Sequence, residues 1–245
     1  MKLQKEVLRI LQLNFQYPCG RKVLESLDET IISGERVGLV GPNGAGKTTL
    51  FLILAGIIKP TAGEVLLFNK TVKQGEFRPE LGMVFQNQDD QLFCPSVYDD
   101  IAFGPQNMGL SDEEVKKRVD DSLEIMGIKS LGNRPPHELS GGEKRLVSLA
   151  GVLAMEPRLV IYDEPTSNLD LRYRRKLINF LKDAKQEAML IASHDLEFIL
   201  ETCNRVIVLD NGKIIKTGNP KEVLADKDLA ANHGLEVPHS LVCCH

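Results

Sequence analysis

Residues Gly41-Pro42-Asn43-Gly44-Ala45-Gly46-Lys47-Thr48 set glycines at both ends of a short turn, then a lysine and a hydroxyl, with a second hydroxyl at Thr49. The pattern G-x-x-x-x-G-K-[ST] is chemistry for phosphates. Glycines let successive backbone N–H groups crowd around an anion without side-chain clashes. A helix opening at the same place adds about half a positive charge. Lys47 can reach the outer phosphates of a nucleoside triphosphate, and the Thr48 hydroxyl can bind Mg²⁺. The apolar "VGLV" before the turn and "TLFLILAG" after it supply the strand and helix that such a loop requires. A glycine turn with a purely structural role needs neither the lysine nor the hydroxyls.

A second chemical cluster closes "RLVIYDEP". Four mostly apolar residues followed by Asp163 and Glu164 put two carboxylates at the C-terminal end of a buried strand, where open α/β sheets bind ligands. Asp163 reads as the Mg²⁺ partner, directly or through water, and Glu164 as the group that polarises an attacking water. Alone, an Asp-Glu pair would be a solvated strand end; beside a phosphate loop it reads as catalytic. A third cluster, "LSGGEKR", puts Ser140, Gly141 and Gly142 at the start of a helix. Residue type leaves two readings open there, a second anion-receptive helix terminus or a plain helix cap.

The elements that must carry these groups are legible in the apolar pattern. Positions 11, 13, 15 and 17 of "LQLNFQY" alternate as in a half-buried strand. "ETIISGERVGLV" and "GEVLLF" add β material near the N-terminus, and short apolar runs follow at 81–85, 158–163, 188–193 and 205–210. Runs of this kind, separated by helical patterns, match parallel strands buried on both faces. "VLDNGKII" holds an Asn-Gly between two β-like runs, a hairpin signal. Between about 87 and 157 the pattern turns helical. "SDEEVKKRVDDSLEIMGI" opens with a Ser N-cap and an acidic first turn and sets Val115, Val119, Leu123 and Met126 on one face. The expected fold is therefore α/β, with a mainly parallel core sheet, an antiparallel β subdomain near the N-terminus and an inserted α-helical subdomain.

Bulk properties narrow the function classes. The 245-residue chain has 30 basic and 34 acidic residues, a net charge of −4, too balanced for a chain built around nucleic-acid phosphates. The longest apolar run, "LFLILAGII", falls short of the roughly 20 residues needed to span a bilayer, and the N-terminus lacks a secretory signal. Cys19, Cys94, Cys203, Cys243 and Cys244 show no CxxC pairing and read as free thiols in a reducing compartment.

"GPNGAGKTT", "LSGGEKR", "LVIYDEP", "SNLD" and "SHD", in this order and spacing, resemble the ATP-binding cassette (ABC) ATPases over roughly residues 8–225. The resemblance implies a P-loop ATPase fold, ATP and Mg²⁺ as ligands, and a second ATPase subunit. It implies that Tyr17 stacks on adenine and that Gln86 contacts Mg²⁺ or the attacking water. Ser140 and Gly142 would hold the γ-phosphate of the nucleotide on the opposite subunit, Asp170 would couple the two sites, and His194 would contact the γ-phosphate and position Glu164. Taken singly, Tyr17 also fits a strand-face aromatic and His194 a core histidine. Two departures stand out: Glu143 where many members have Gln, and Ser167-Asn168 before Leu-Asp.

The segment "NQDDQLFCPSVYDDIAFGPQNMGL" resembles the ATPases of energy-coupling-factor and cobalt/nickel importers, with Gln88 in place of a proline. The resemblance implies transmembrane subunits on separate chains, a place at the cytoplasmic face of the membrane, and Asp89, Asp90 and Phe93 as candidates for partner contact; a solvated loop is the alternative. Rival readings act on DNA or ribosomes, but about 90 residues separate Lys47 from Ser140, too few for a long coiled coil, and the chain has one phosphate loop. Residues 226–245 form a tail in which His233, His239, Cys243, Cys244 and His245 lie close in sequence without a recognised metal spacing; mobility is expected there.

Overall fold

A computed structural model describes residues 5–167 and 169–242. Asn168, Cys243, Cys244 and His245 lie outside the described residues. In chain order the elements are β1 (Glu6–Gln16), β2 (Lys22–Ile32), β3 (Arg36–Val40), α1 (Lys47–Leu54), β4 (Ala62–Leu67), β5 (Lys70–Thr71), β6 (Leu81–Val84), α2 (Val97–Asn107), α3 (Asp112–Ile125), α4 (Gly141–Leu153), β7 (Leu159–Asp163), α5 (Leu171–Asp183), β8 (Ala188–Ala192), α6 (Leu196–Thr202), β9 (Arg205–Asp210), β10 (Lys213–Gly218), α7 (Pro220–Leu224), α8 (Lys227–Asn232) and α9 (His239–Val242). They divide into two compact units, one reaching to Phe77 and resuming at Leu181, the other Arg78–Phe180.

The first unit holds an antiparallel sheet in the order β2-β1-β4-β5 and a set of strands in the order β10-β9-β3-β8. β3 pairs in parallel with both β8 and β9, so its residues Val37–Val40 are buried on both faces. That is why this run is continuously apolar. In β1, Leu8 lies opposite Ile31 and Leu67, and Ile10 opposite Val65.

The alternation expected over 11–17 holds at Leu13 and Phe15, but it neither extends back in phase to Leu8 and Ile10 nor reaches Tyr17. Leu8, Ile10, Leu13 and Phe15 are buried, while Leu11 is half-buried and Tyr17 lies beyond the strand end. A bulge shifts the phase by one. Gln12 has φ 45°, its N–H donates to Asp28 Oδ1 at 2.9 Å, and its carbonyl accepts from Asn14 Nδ2 at 2.8 Å. An extra residue in one strand flips every later side chain to the other face.

The Asn-Gly hairpin forms between β9 and β10. Asn211 and Gly212 both have positive φ, 47° and 73°, as a type I′ turn demands. Over its described residues, 226–242, the tail is held against this unit rather than loose. Ala230 and Pro238 are buried, His233 Nδ1 lies 2.8 Å from Asp210 Oδ2, and Ser240 donates through N and Oγ to Glu197 at 2.9 and 2.6 Å. Two polar clasps and a small apolar contact overcome the chain entropy that favours a free end.

The second unit pairs β6 with β7 in parallel, from Leu81 opposite Leu159 to Val84 opposite Tyr162. α2, α3 and α4 pack on one another. Each opens with a serine cap: Ser96 accepts from Asp99, Ser111 from Glu114 and Ser140 from Glu143. Val115, Val119, Leu123 and Met126 are buried together, as the helical periodicity requires. No described helix is long and apolar enough to cross a membrane.

Candidate nucleotide site

The phosphate loop lies in the first unit, between the buried end of β3 and the start of α1. Gly46 is the N-cap residue of α1 with φ 108°, and a Cβ there would sit 2.8 Å from a Leu24 methyl. At Gly41 a Cβ would lie 1.9 Å from the Leu209 carbonyl oxygen. Only glycine fits either place. The loop is further tied to the β9–β10 hairpin, where Gly212 N–H donates to the Ala45 carbonyl at 3.2 Å.

Lys47 is 7 % exposed and its Nζ donates to the Gly41 and Pro42 carbonyls at 2.7 and 3.1 Å. Its ammonium is thus held folded back over the loop. His194, in the turn between β8 and α6, places Nε2 3.5 Å from that Nζ. Partial burial and the Lys47 charge together lower the His194 pKa, so the ring is neutral at pH 7. Tyr17 O–H lies 3.3 Å from Thr49 Oγ1, its ring set edge-on to Phe15 at 4.9 Å. Being 39 % exposed, that ring offers an open aromatic face. Asn43, Gly44 and Thr48 are exposed, whereas Gly41, Ala45, Gly46 and Thr49 are buried. A cavity of about 360 Å³ has Gly41 and His194 on one side and tail residues Gly234–His239 on the other.

The second unit gathers the remaining predicted residues. Asp163, 2 % exposed, ends the wholly buried β7, and Glu164, 6 % exposed, follows in a left-handed conformation with φ 47°. For a non-glycine residue that backbone costs about 1–3 kcal/mol, a cost typical of functional turns. Gln86 is exposed just past the end of β6. Arg145 joins these segments, donating to the carbonyls of Phe85, Gln86 and Glu164 at 2.7, 2.8 and 3.4 Å.

At the start of α4, Ser140 and Glu143 form a closed capping box. Ser140 Oγ accepts from Glu143 N–H at 3.3 Å, and Glu143 Oε2 accepts from Ser140 N–H and Oγ at 2.9 and 2.8 Å. These bonds from Ser140, the backbone one foremost, lower the Glu143 pKa. The glutamate that departs from the usual Gln thus completes the cap. Gly142 carries the ring of Tyr173: a Cβ would come 2.6 Å from Tyr173 Cδ2. Tyr173 N–H in turn donates to Asp170 Oδ1 at 2.8 Å, linking the two predicted residues Gly142 and Asp170. Asp89 pairs with Lys144 at 2.7 Å, Asp90 is exposed, and Phe93, 64 % exposed, packs edge-on against Phe103 at 5.0 Å.

The family described as ABC transporter matches residues 24–167, which include the phosphate loop, the Ser140 box and the Asp163-Glu164 strand end. The chain belongs to the ABC transporter family. A putative ABC transporter ATP-binding protein of Synechocystis is 52 % identical over 96 % of this chain and 82 % of its own length. The energy-coupling factor transporter ATP-binding protein EcfA of Methanocaldococcus jannaschii is 44 % identical over 95 % of this chain and 86 % of its own. Among solved structures, CbiO1 of Clostridium perfringens, described as part of the ABC transporter complex CbiONQ, superposes with a TM-score of 0.80 at 39 % identity, covering 94 % of both chains. A dimeric ATP-binding cassette in a post-hydrolysis state, bound to ADP and Pi, superposes with a TM-score of 0.78 at 25 % identity, over 87 % of this chain and 98 % of that one. This cassette is an ATPase coupled to transport, the ATP-binding motor of an ABC transporter.

Two side chains of the cassette escape a reading of its motifs. Tyr173 bears no recognisable pattern. Arg145 does carry a signal: it falls at i, with Leu149 and Val152 at i+4 and i+7, on the buried face of α4. A cation in that row announces an internal partner.

Among the described residues no group of three His, Cys, Asp or Glu side chains is placed to hold a metal. In the tail, His233 is engaged with Asp210.

Proposed function

We propose that the cassette is the motor subunit of an importer of the energy-coupling-factor kind, working at the cytoplasmic face of the membrane and moving a metal ion such as cobalt or nickel, or a vitamin. It pairs with a second ATPase subunit, of its own kind or related, and drives transmembrane subunits on other chains. The observation that carries the ATP-dependent part is the phosphate loop, with the buried Lys47 over its carbonyls and neutral His194 beside it. Likeness across nearly the whole chain to EcfA and CbiO1 supports the importer class.

In this reading the backbone of Gly41–Thr49 and the Lys47 ammonium bind the phosphates, and Tyr17 stacks on adenine. The Thr48 hydroxyl, Gln86 amide and Asp163 carboxylate are hard oxygen donors, a set that suits Mg²⁺. When bound, that ion neutralises charge on the outer phosphates. Glu164 polarises the water that attacks the γ-phosphorus, and His194 contacts the γ-phosphate. Ser140, Gly141 and Gly142 cap the nucleotide held by the second subunit, and Asp170 couples the two sites. Removing the bridging charge on hydrolysis lets the subunits part, a motion passed to the membrane subunits.

Native mass spectrometry of the complex extracted from membranes tests this assignment, together with uptake of labelled cobalt, nickel or vitamin into vesicles. Two ATPase subunits recovered with hydrophobic subunits, and uptake that requires ATP, are expected. Recovery with ribosomes or DNA and no membrane subunit would sink it.

A further inference from the structure

Arg145 is the largest fully buried side chain among the described residues, at 0 % exposure, and it is charged. Burial pushes its pKa down to about 10, against the pull of the Asp163 and Glu164 carboxylates, so it is a cation at pH 7. Taking a guanidinium out of water costs several kcal/mol unless its donors are met. Here Nη1 and Nη2 donate to carbonyl oxygens from two separate segments, Phe85 and Gln86 on one side and Glu164 on the other, while Nε is buried without a hydrogen-bond partner. Two further ties join the Gln86 segment to α4. Lys144 pairs with Asp89, and Gln91 takes the Phe85 N–H at 3.4 Å while donating to the Ser148 carbonyl at 3.0 Å. Neither tie reaches Glu164.

We infer that Arg145 is a positioning residue for ATP hydrolysis, its planar fork locking the Gln86 backbone, the Glu164 turn and the start of α4 into one piece. The inference rests on the proposed roles of Gln86, Glu164 and Ser140. Ser140 stands five residues before Arg145 on the same helix, a rise of about 7.5 Å. A shift of the Gln86 segment is therefore passed by Arg145 to the Glu164 turn, and to α4 and its Ser140 cap together with the Lys144 and Gln91 ties. Lysine cannot substitute, because a point ammonium lacks the fork that reaches both segments.

The test compares full-length parent, R145K and R145Q, each alone and combined with Gln86→Ala, in ATP turnover and in nucleotide binding, with melting curves to confirm folding. Both Arg145 variants should lose kcat by about a hundredfold, the scale expected when a catalytic group is misplaced by about 1 Å. Their KM and ATP affinity should stay within about twofold of parent. In either background Gln86→Ala should add little, since the two residues act through one coupling. Parental kcat in R145K, a parallel loss of kcat and ATP affinity, or effects of the two substitutions that multiply would each overturn the inference while leaving the ATPase assignment intact. ATP turnover that survives Lys47→Ala would overturn that assignment, and the inference with it.

Discussion

The ammonium of Lys47 lies 3.5 Å from Nε2 of His194, and it hydrogen-bonds the carbonyl oxygens of its own loop, Gly41 and Pro42. Two nitrogen groups of the phosphate site thus face one another, with the loop carbonyls of Gly41 and Pro42 accepting from the cation. An arriving phosphate would replace those carbonyls as the acceptor of Lys47 and give the neutral imidazole an anion to face.

His194 should titrate below the usual imidazole pKa of about 6.5. Its pKa is depressed in the folded protein, so the unfolded chain takes up the proton first. The contribution to stability is full above the unfolded value and declines as pH falls through it. Lys47→Met removes the second of the two causes and should move the His194 pKa upward while burial still holds it below normal. A ring-proton NMR titration of both proteins reads this directly; a pKa that stays put or falls in Lys47→Met refutes the coupling.

Glu164→Gln should keep ATP affinity and lower turnover by about 10²–10⁴, the usual loss on removing a general base. The protein should then accumulate as an ATP-bound dimer on size exclusion. Turnover at the parental rate would show that the water is activated elsewhere.

Glu143→Ala should destabilise the protein by about 0.5–2 kcal/mol, through loss of the reciprocal cap with Ser140. Glu143→Gln keeps an acceptor but not the charge. The folded Glu143 pKa is lowered, so its contribution is present above the unfolded pKa and disappears as pH falls through the folded one. Urea melts across the acid range should be flatter for Glu143→Gln than for parent. Identical acid profiles would mean that the carboxylate charge does not matter there.

Arg205 donates to Glu35 at 3.2 Å, to Glu29, and to the Thr30 carbonyl at 2.9 Å. Removing one partner of such a half-buried cluster strands the others. Arg205→Met should cost about 3 kcal/mol, and adding Glu29→Gln and Glu35→Gln should recover part of it. Urea denaturation midpoints check both; a triple variant no better than the single one removes the stranded-charge explanation.

Contiguous motifs were readable from residue order. The phosphate loop, the Asn211-Gly212 turn and the serine caps at Ser111 and Ser140 each need only neighbours in the chain, so spacing specifies them. The apolar runs likewise mark the parallel strands, because burial on both faces leaves no polar alternation to confuse the pattern. Long-range partners were hidden. The phase of β1 turns on Asp28 meeting Gln12 from another strand. The value of Arg145 depends on carbonyls some 60 residues before it and 19 after it. Tyr173 matters because its ring lies on Gly142, and the tail stays down because Asp210 and Glu197 are within reach of it. Backbone carbonyls carry no residue identity, and a hydrogen bond between distant positions leaves no periodic trace. Packing alone chooses them.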